Sequence, residues 1–194
     1  MKRELGLSIL PYLKNNDNVF FVIKESCFDP RVIEAGVPLL HLQDKADDVI
    51  LYLLKESNHH LFFCKTVVPY LKDEGNIISL LTQLIPTSVA NKSYDLYRNG
   101  MPLLSIHSIA GLLRISDYEA NICSIGVPFL IEKRAPEDFL FDVVQESVYN
   151  YIVCMETLPF LCSEDKILAI MKESEYDDNV STVAQKRLKE LSEK

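Results

Sequence analysis

Apolar residues along this chain fall into short blocks with a recurring polar ending. Runs closed by a polar tail appear as NVFFVIKES, DVILYLLKES, FLFDVVQES and KILAIMKES, with SIAGLLRIS a fainter copy and NIISLLTQLIPTS the most divergent. Between them a second motif sets an apolar residue, Pro, a large apolar or aromatic residue and Leu in a row. It occurs as LPYL at Pro11, VPLL at Pro38, VPYL at Pro69, MPLL at Pro102, VPFL at Pro128 and LPFL at Pro159. Successive prolines stand 27, 31, 33, 26 and 31 residues apart. Ser26, Ser57, Ser116 and Ser147, each closing a tail, precede the next repeated Pro by 12 residues. Two interlocked motifs at that spacing mark an internal repeat, whose units bury apolar faces against one another.

Each unit predicts three helical pieces. Pro has no N–H and a fixed φ, so each repeated Pro is expected to open a short helix. Gly36, Gly100 and Gly126, two residues before three of these prolines, are expected to close the preceding helix in a left-handed conformation. Asp17-Asn18, Asp47-Asp48 and Glu164-Asp165 are read as caps of a longer third helix, apolar on nearly all sides as for a helix between neighbours. Runs this rich in Val, Ile and Phe also fit strands. The polar tails and the lack of hairpin signals between paired runs favour helix.

The segments CFDPRVIEAG, NHHLFFCKTV, DYEANICSIG and VYNYIVCMET, between a Ser and the next Pro, align without gaps. They place Val32, Phe63, Leu96, Ile122 and Val153 in one apolar slot, and Ile33, Cys64, Tyr97, Cys123 and Cys154 in the next. Pro86 and the polar SVANKSYD predict a loop over residues 86–92. Pro136 predicts a further helix start. Residues 175–194 read as a capping helix with Val180, Val183, Ala184, Leu188 and Leu191 inward. Leu5, Leu7, Ile9 and Leu10 at the other end have little such cover. The fold class expected is all-α: one domain over residues 1–194, a right-handed α-solenoid of about six short units with a C-terminal capping helix.

Composition narrows the function classes. With 194 residues, a net charge of -8 and 48% apolar residues, the chain fits a folded domain and offers no broad basic groove for nucleic acid. No apolar stretch reaches the roughly 18 residues of a membrane span. The N-terminal apolar run, interrupted by Pro11, is too short for a signal peptide. Five cysteines without a CxxC pair then read as reduced thiols, and a cytoplasmic location is expected, the nucleus remaining open. Cys64, Cys123 and Cys154 share one aligned slot, which raises a metal or redox cluster as an alternative. The favoured reading is small buried hydrophobes, because equivalent positions lie a whole unit apart while metal ligands must converge. His41, His59, His60 and His107 belong to no HExxH motif, and neither GxSxG nor a Walker loop occurs. The expectation is a chain that is not an enzyme, with no catalytic residue, metal, cofactor or small-molecule substrate.

VIEAGVPLL, followed by a polar gap and DDVILYLLKES, resembles the armadillo repeat, with relatives in the HEAT group. The similarity covers residues 7–175 and is clearest at 28–70 and 117–175, in units shorter than the roughly 40 residues usual for such repeats. The resemblance implies a concave face, lined by the third helices, that binds extended peptides or partner proteins. Nuclear-import adaptors of that family use a ladder of Trp and Asn; this chain has no Trp and no Asn in the matching slots. What recurs at the helix ends is Lys24-Glu25, Lys55-Glu56, Gln145-Glu146 and Lys172-Glu173, with Arg114 a weaker equivalent. Candidate partner-binding residues are therefore Lys24, Glu25, Tyr52, Lys55, Glu56, Arg114, Gln145 and Lys172. The competing reading of the pairs is a solvated helix end that offsets the dipole. The function implied is a protein-binding scaffold: an adaptor, assembly chaperone or chaperone cofactor. The alternative is a regulatory or inhibitory subunit docked on a large assembly such as the ribosome or proteasome, with direct broad nucleic-acid contact disfavoured.

Overall fold

The computed structural model describes residues 2–41, 46–57, 61–83, 90–174 and 177–193. Among them the backbone is all-helical, with thirteen α-helices, four three-residue 3-10 turns and no strand. The chain divides into two compact units, Met1–Leu103 and Leu104–Lys194. The first holds α1 (Arg3–Ile9), α2 (Asn16–Glu25), α3 (Pro30–His41), α4 (Ala46–Glu56), α5 (Leu61–Val67), α6 (Glu74–Gln83) and α7 (Ala90–Gly100). The second holds α8 (Ile106–Ile115), α9 (Ala120–Glu132), α10 (Glu137–Glu146), α11 (Tyr151–Thr157), α12 (Glu164–Glu173) and α13 (Asp178–Ser192). Helices α2 to α6 correspond in order to α8 to α12 at a displacement of 90 residues, as Ser26 and Ser116, or Ser57 and Ser147, show.

The polar-tailed runs are helices with a defined inner stripe, not apolar on nearly all sides as expected. In α2 the buried residues are Val19, Val22 and Ile23; in α4 they are Ile50, Leu53 and Leu54; in α10 they are Leu140, Val143 and Val144. This i, i+3, i+4 spacing puts three side chains on one face. Phe21, one residue from that stripe, is 55% exposed.

The Ser that ends each tail turns the chain. Its hydroxyl donates to the carbonyl three residues back, from Ser26 to Ile23 at 2.6 Å, Ser116 to Leu113 at 2.7 Å and Ser147 to Val144 at 2.7 Å. Two residues of positive φ follow in each case: Cys27 and Phe28, Asp117 and Tyr118, Val148 and Tyr149. The amide of the second closes back to the helix, at 3.3 Å from Phe28 to Ile23, 2.9 Å from Tyr118 to Leu113 and 3.0 Å from Tyr149 to Val144. The next residue caps the following helix. Asp29, Glu119 and Asn150 accept from the amides of Arg31, Ile122 and Ile152.

The prolines act differently from the expectation that each opens a helix. Pro11, Pro69, Pro102 and Pro159 are the middle residues of 3-10 turns that finish the preceding helix, while Pro38 and Pro128 lie inside α3 and α9. In the turn at 10–12 the chain then extends through Leu13, and Leu71 and Leu161 do the same after their turns. Where the helix runs through its Pro, 19 residues separate that Pro from the next Ser; after Pro11, Pro102 and Pro159 the separation is 15, 14 and 15. The difference is about one α-helical turn.

Nor do the glycines close helices in a left-handed conformation, since no positive-φ glycine occurs among the described residues. Gly36 is a point of close approach instead: a Cβ there would lie 2.9 Å from Ile23 Cδ1. The two expected apolar slots are the core, with Val32, Phe63, Leu96, Ile122 and Val153 buried beside Ile33, Cys64, Tyr97, Cys123 and Cys154. Pro136 stands at the N-cap of α10. The terminal helix α13 buries Val180 and Ala184 and half-buries Val183, Leu188 and Leu191. Of the loop expected over 86–92, residues 86–89 lie outside the described residues, and 90–92 are helical in α7.

Candidate interaction surface

The face of the polar-tailed helices opposite the buried stripe carries the candidate surface. On α2, Asp17, Phe21 and Lys24 follow one another at spacings of four and three; on α4, Asp48, Tyr52 and Lys55 do the same. All six are exposed. Between the two helices Asp17, Phe20, Asp48, Val49 and Tyr52 line a cavity of about 320 Å³. The Phe20 and Tyr52 rings meet at 5.3 Å between centroids, tilted by 38°.

Of the sequence-predicted residues, Lys24, Tyr52 and Glu56 come together. Lys24 donates to Glu56 at 2.5 Å and stands 5.9 Å from the Phe20 ring centre. That hydrogen bond raises the lysine pKa and holds the Glu56 carboxyl below the usual carboxylate range, with the Tyr52 hydroxyl lowering it further. Glu25 is exposed beside Lys24 in the last turn of α2. Lys55 lines a separate groove with Leu51, Ser79 and Gln83. In the second unit Arg114 reaches both carboxylate oxygens of Glu146, at 2.7 and 2.6 Å, and the Tyr118 hydroxyl donates to the same group at 3.1 Å. The guanidinium holds the Glu146 carboxyl low, and burial is the first cause pushing Tyr118 up to about 12. Gln145 and Lys172 lie exposed in the last turns of α10 and α12. Lys24 with Glu56, and Arg114 with Glu146, thus join the ends of consecutive polar-tailed helices across 32 residues.

The other ends are joined by acids that sequence reading placed as caps of their own helices. Asp47 accepts from the backbone amides of Lys72 and Asp73, at 3.1 and 2.9 Å, and from the Asn76 side chain. Glu137 accepts from the amides of Cys162 and Ser163, at 3.1 and 2.8 Å. Each carboxylate therefore satisfies orphan N–H groups at the start of the next polar-tailed helix, 25 residues on. Asn15 and Ser105, one residue before α2 and α8, supply true side-chain caps there.

The residues that sequence reading missed are Phe20, Phe21, Asp17, Asp48 and Val49. Counting back from the tail Ser would have found them, since Asp17 and Asp48 both stand nine residues before it.

Cys64, Cys123 and Cys154 are fully enclosed, and burial pushes their thiols up to about 11, 12 and 11. His107 is exposed with its ring 5.3 Å from Phe139; His59 and His60 lie outside the described residues. Among the described residues no group of three or more His, Cys, Asp or Glu is placed to hold a metal, and no helix is long and apolar enough to cross a membrane. Comparison with family models, curated proteins and solved structures finds no match to this chain.

Proposed function

We propose that the chain is a non-catalytic protein-binding scaffold, an armadillo-like α-solenoid of about six short units that holds an extended partner segment along its polar-tailed helices. The observation that carries this reading is the groove between α2 and α4, with Phe21 55% and Tyr52 51% exposed on its flanks. Aromatic side chains left in water at the rim of a preformed apolar groove are typical anchors of a protein interface. An adaptor or chaperone cofactor working in the cytoplasm fits this surface. The resemblance of VIEAGVPLL and DDVILYLLKES to armadillo repeats supports the same reading at the level of fold, and the site supports it at the level of chemistry.

The test compares proteins retained from a native lysate by the full chain and by its Phe21→Ala/Tyr52→Ala variant, both checked for helical content by circular dichroism. A partner retained by the first and lost by the second is expected. Identical retention on both would remove this face from the function.

A further inference from the structure

We infer that the groove between α2 and α4 receives a basic side chain of the partner segment, arginine in preference to lysine; this rests on the scaffold reading above. The groove has two aromatic walls, Phe20 and Tyr52, and two exposed carboxylates, Asp17 and Asp48. Among the described residues neither carboxylate has an ion-pair partner, and the cation beside them, Lys24, is taken up by Glu56. Ring faces attract cations, and a planar guanidinium stacks on them while its five donors serve two carboxylates at once. The net charge of -8 draws basic segments in the same sense.

The second unit shows that the scaffold does not need this arrangement. The positions 90 residues on from Asp17, Phe20, Asp48 and Tyr52 are His107, Ala110, Asp138 and Asp142. There α8 and α10 keep their joining pair, Arg114 and Glu146, without the aromatic walls. Asp138 is engaged by Lys166. The counterpart of Lys166 in the first unit is Asn76, whose amide goes to Asp47 at 3.2 Å and leaves Asp48 without that cation. Aromatic walls and uncompensated carboxylates thus occur together in one unit and are replaced together in the other.

The experiment is fluorescence anisotropy of the full chain with three labelled Gly/Ser peptides of equal length, bearing spaced Arg, Lys or Glu. Binding in the order Arg, Lys, Glu is expected. Asp17→Asn/Asp48→Asn should weaken the Arg peptide about ten-fold, the combined loss of a cation–π contact and exposed charge pairs. A Glu34→Gln/Asp178→Asn control removes as much charge from exposed sites elsewhere and should leave binding unchanged. No preference for Arg, or equal weakening in both variants, overturns the inference. So does self-association lost on Asp17→Asn/Asp48→Asn, since the occupant would then be a second copy. A partner captured by Asp17→Asn/Asp48→Asn but lost by Phe21→Ala/Tyr52→Ala would keep the scaffold reading and remove this one.

Discussion

The corners of this chain concentrate backbone strain in residues other than glycine. Two consecutive residues of positive φ follow Ser26, Ser116 and Ser147, and one of them, Val148 at φ 53°, is β-branched. A left-handed conformation costs an L-residue about 1–2 kcal/mol, and β-branching makes it rarer still. Val148 is 84% exposed, so little packing is lost when its side chain is removed. Val148→Gly is therefore expected to stabilise the protein by about 0.5–1 kcal/mol, strain relief exceeding the entropy that glycine adds to the unfolded chain. A urea midpoint no higher than that of the parent protein would contradict it. The Ser at each corner was legible from its fixed distance to Pro. The left-handed pairs were not, because Cys, Phe, Asp, Tyr and Val give no conformational signal of the kind Gly or Asn provides.

At the level of elements, helices are joined to their successors at both ends by side chains from fixed places. Asp47 is the clearest, with two backbone amides and one side-chain amide on a single carboxylate. Asp47→Ala is expected to cost about 1–2 kcal/mol, as loss of a helix cap does, with Asp47→Asn intermediate. Thermal unfolding of the three proteins checks the order. Sequence reading recognised acidic residues at helix starts but assigned them to their own helices, since a carboxylate's reach to a segment 25 residues away leaves no local pattern. The prolines show the same limit. Their spacing revealed the repeat, yet Pro is also tolerated as the second residue of a 3-10 turn, where it ends a helix and begins none. The buried slots, in contrast, were readable throughout, because an apolar position six residues before each Pro has no other role to play.

Over the whole chain, both units carry buried thiols whose protons are held by the fold. Cys64, Cys123 and Cys154 are pushed from 9.0 up to about 11, 12 and 11, chiefly by burial. Between pH 9 and about 11 the native state keeps protons that the unfolded chain releases, so stability falls as pH rises through that window. Tyr118, raised from 10.0 to about 12, extends the loss upward. Urea midpoints should be level between about pH 7 and 8 and lower at about pH 10.5. A thiol-reactive dye should label exposed Cys27 and Cys162 in the native protein and the other three only on unfolding. A rising midpoint, or rapid native labelling of all five, would refute this burial pattern.

The alternation of 15 and 19 residues between a Pro and the next Ser carries a consequence for how such a chain can change length. From Ser to Pro the count is 12, the corner and short helix between them allowing no variation, whereas beyond the Pro a helix stops or continues by about one turn. Insertions and deletions are thus quantised. Adding a whole turn after a proline preserves which side chains face inward, while adding one residue rotates every later position by about 100° and turns the buried stripe toward water.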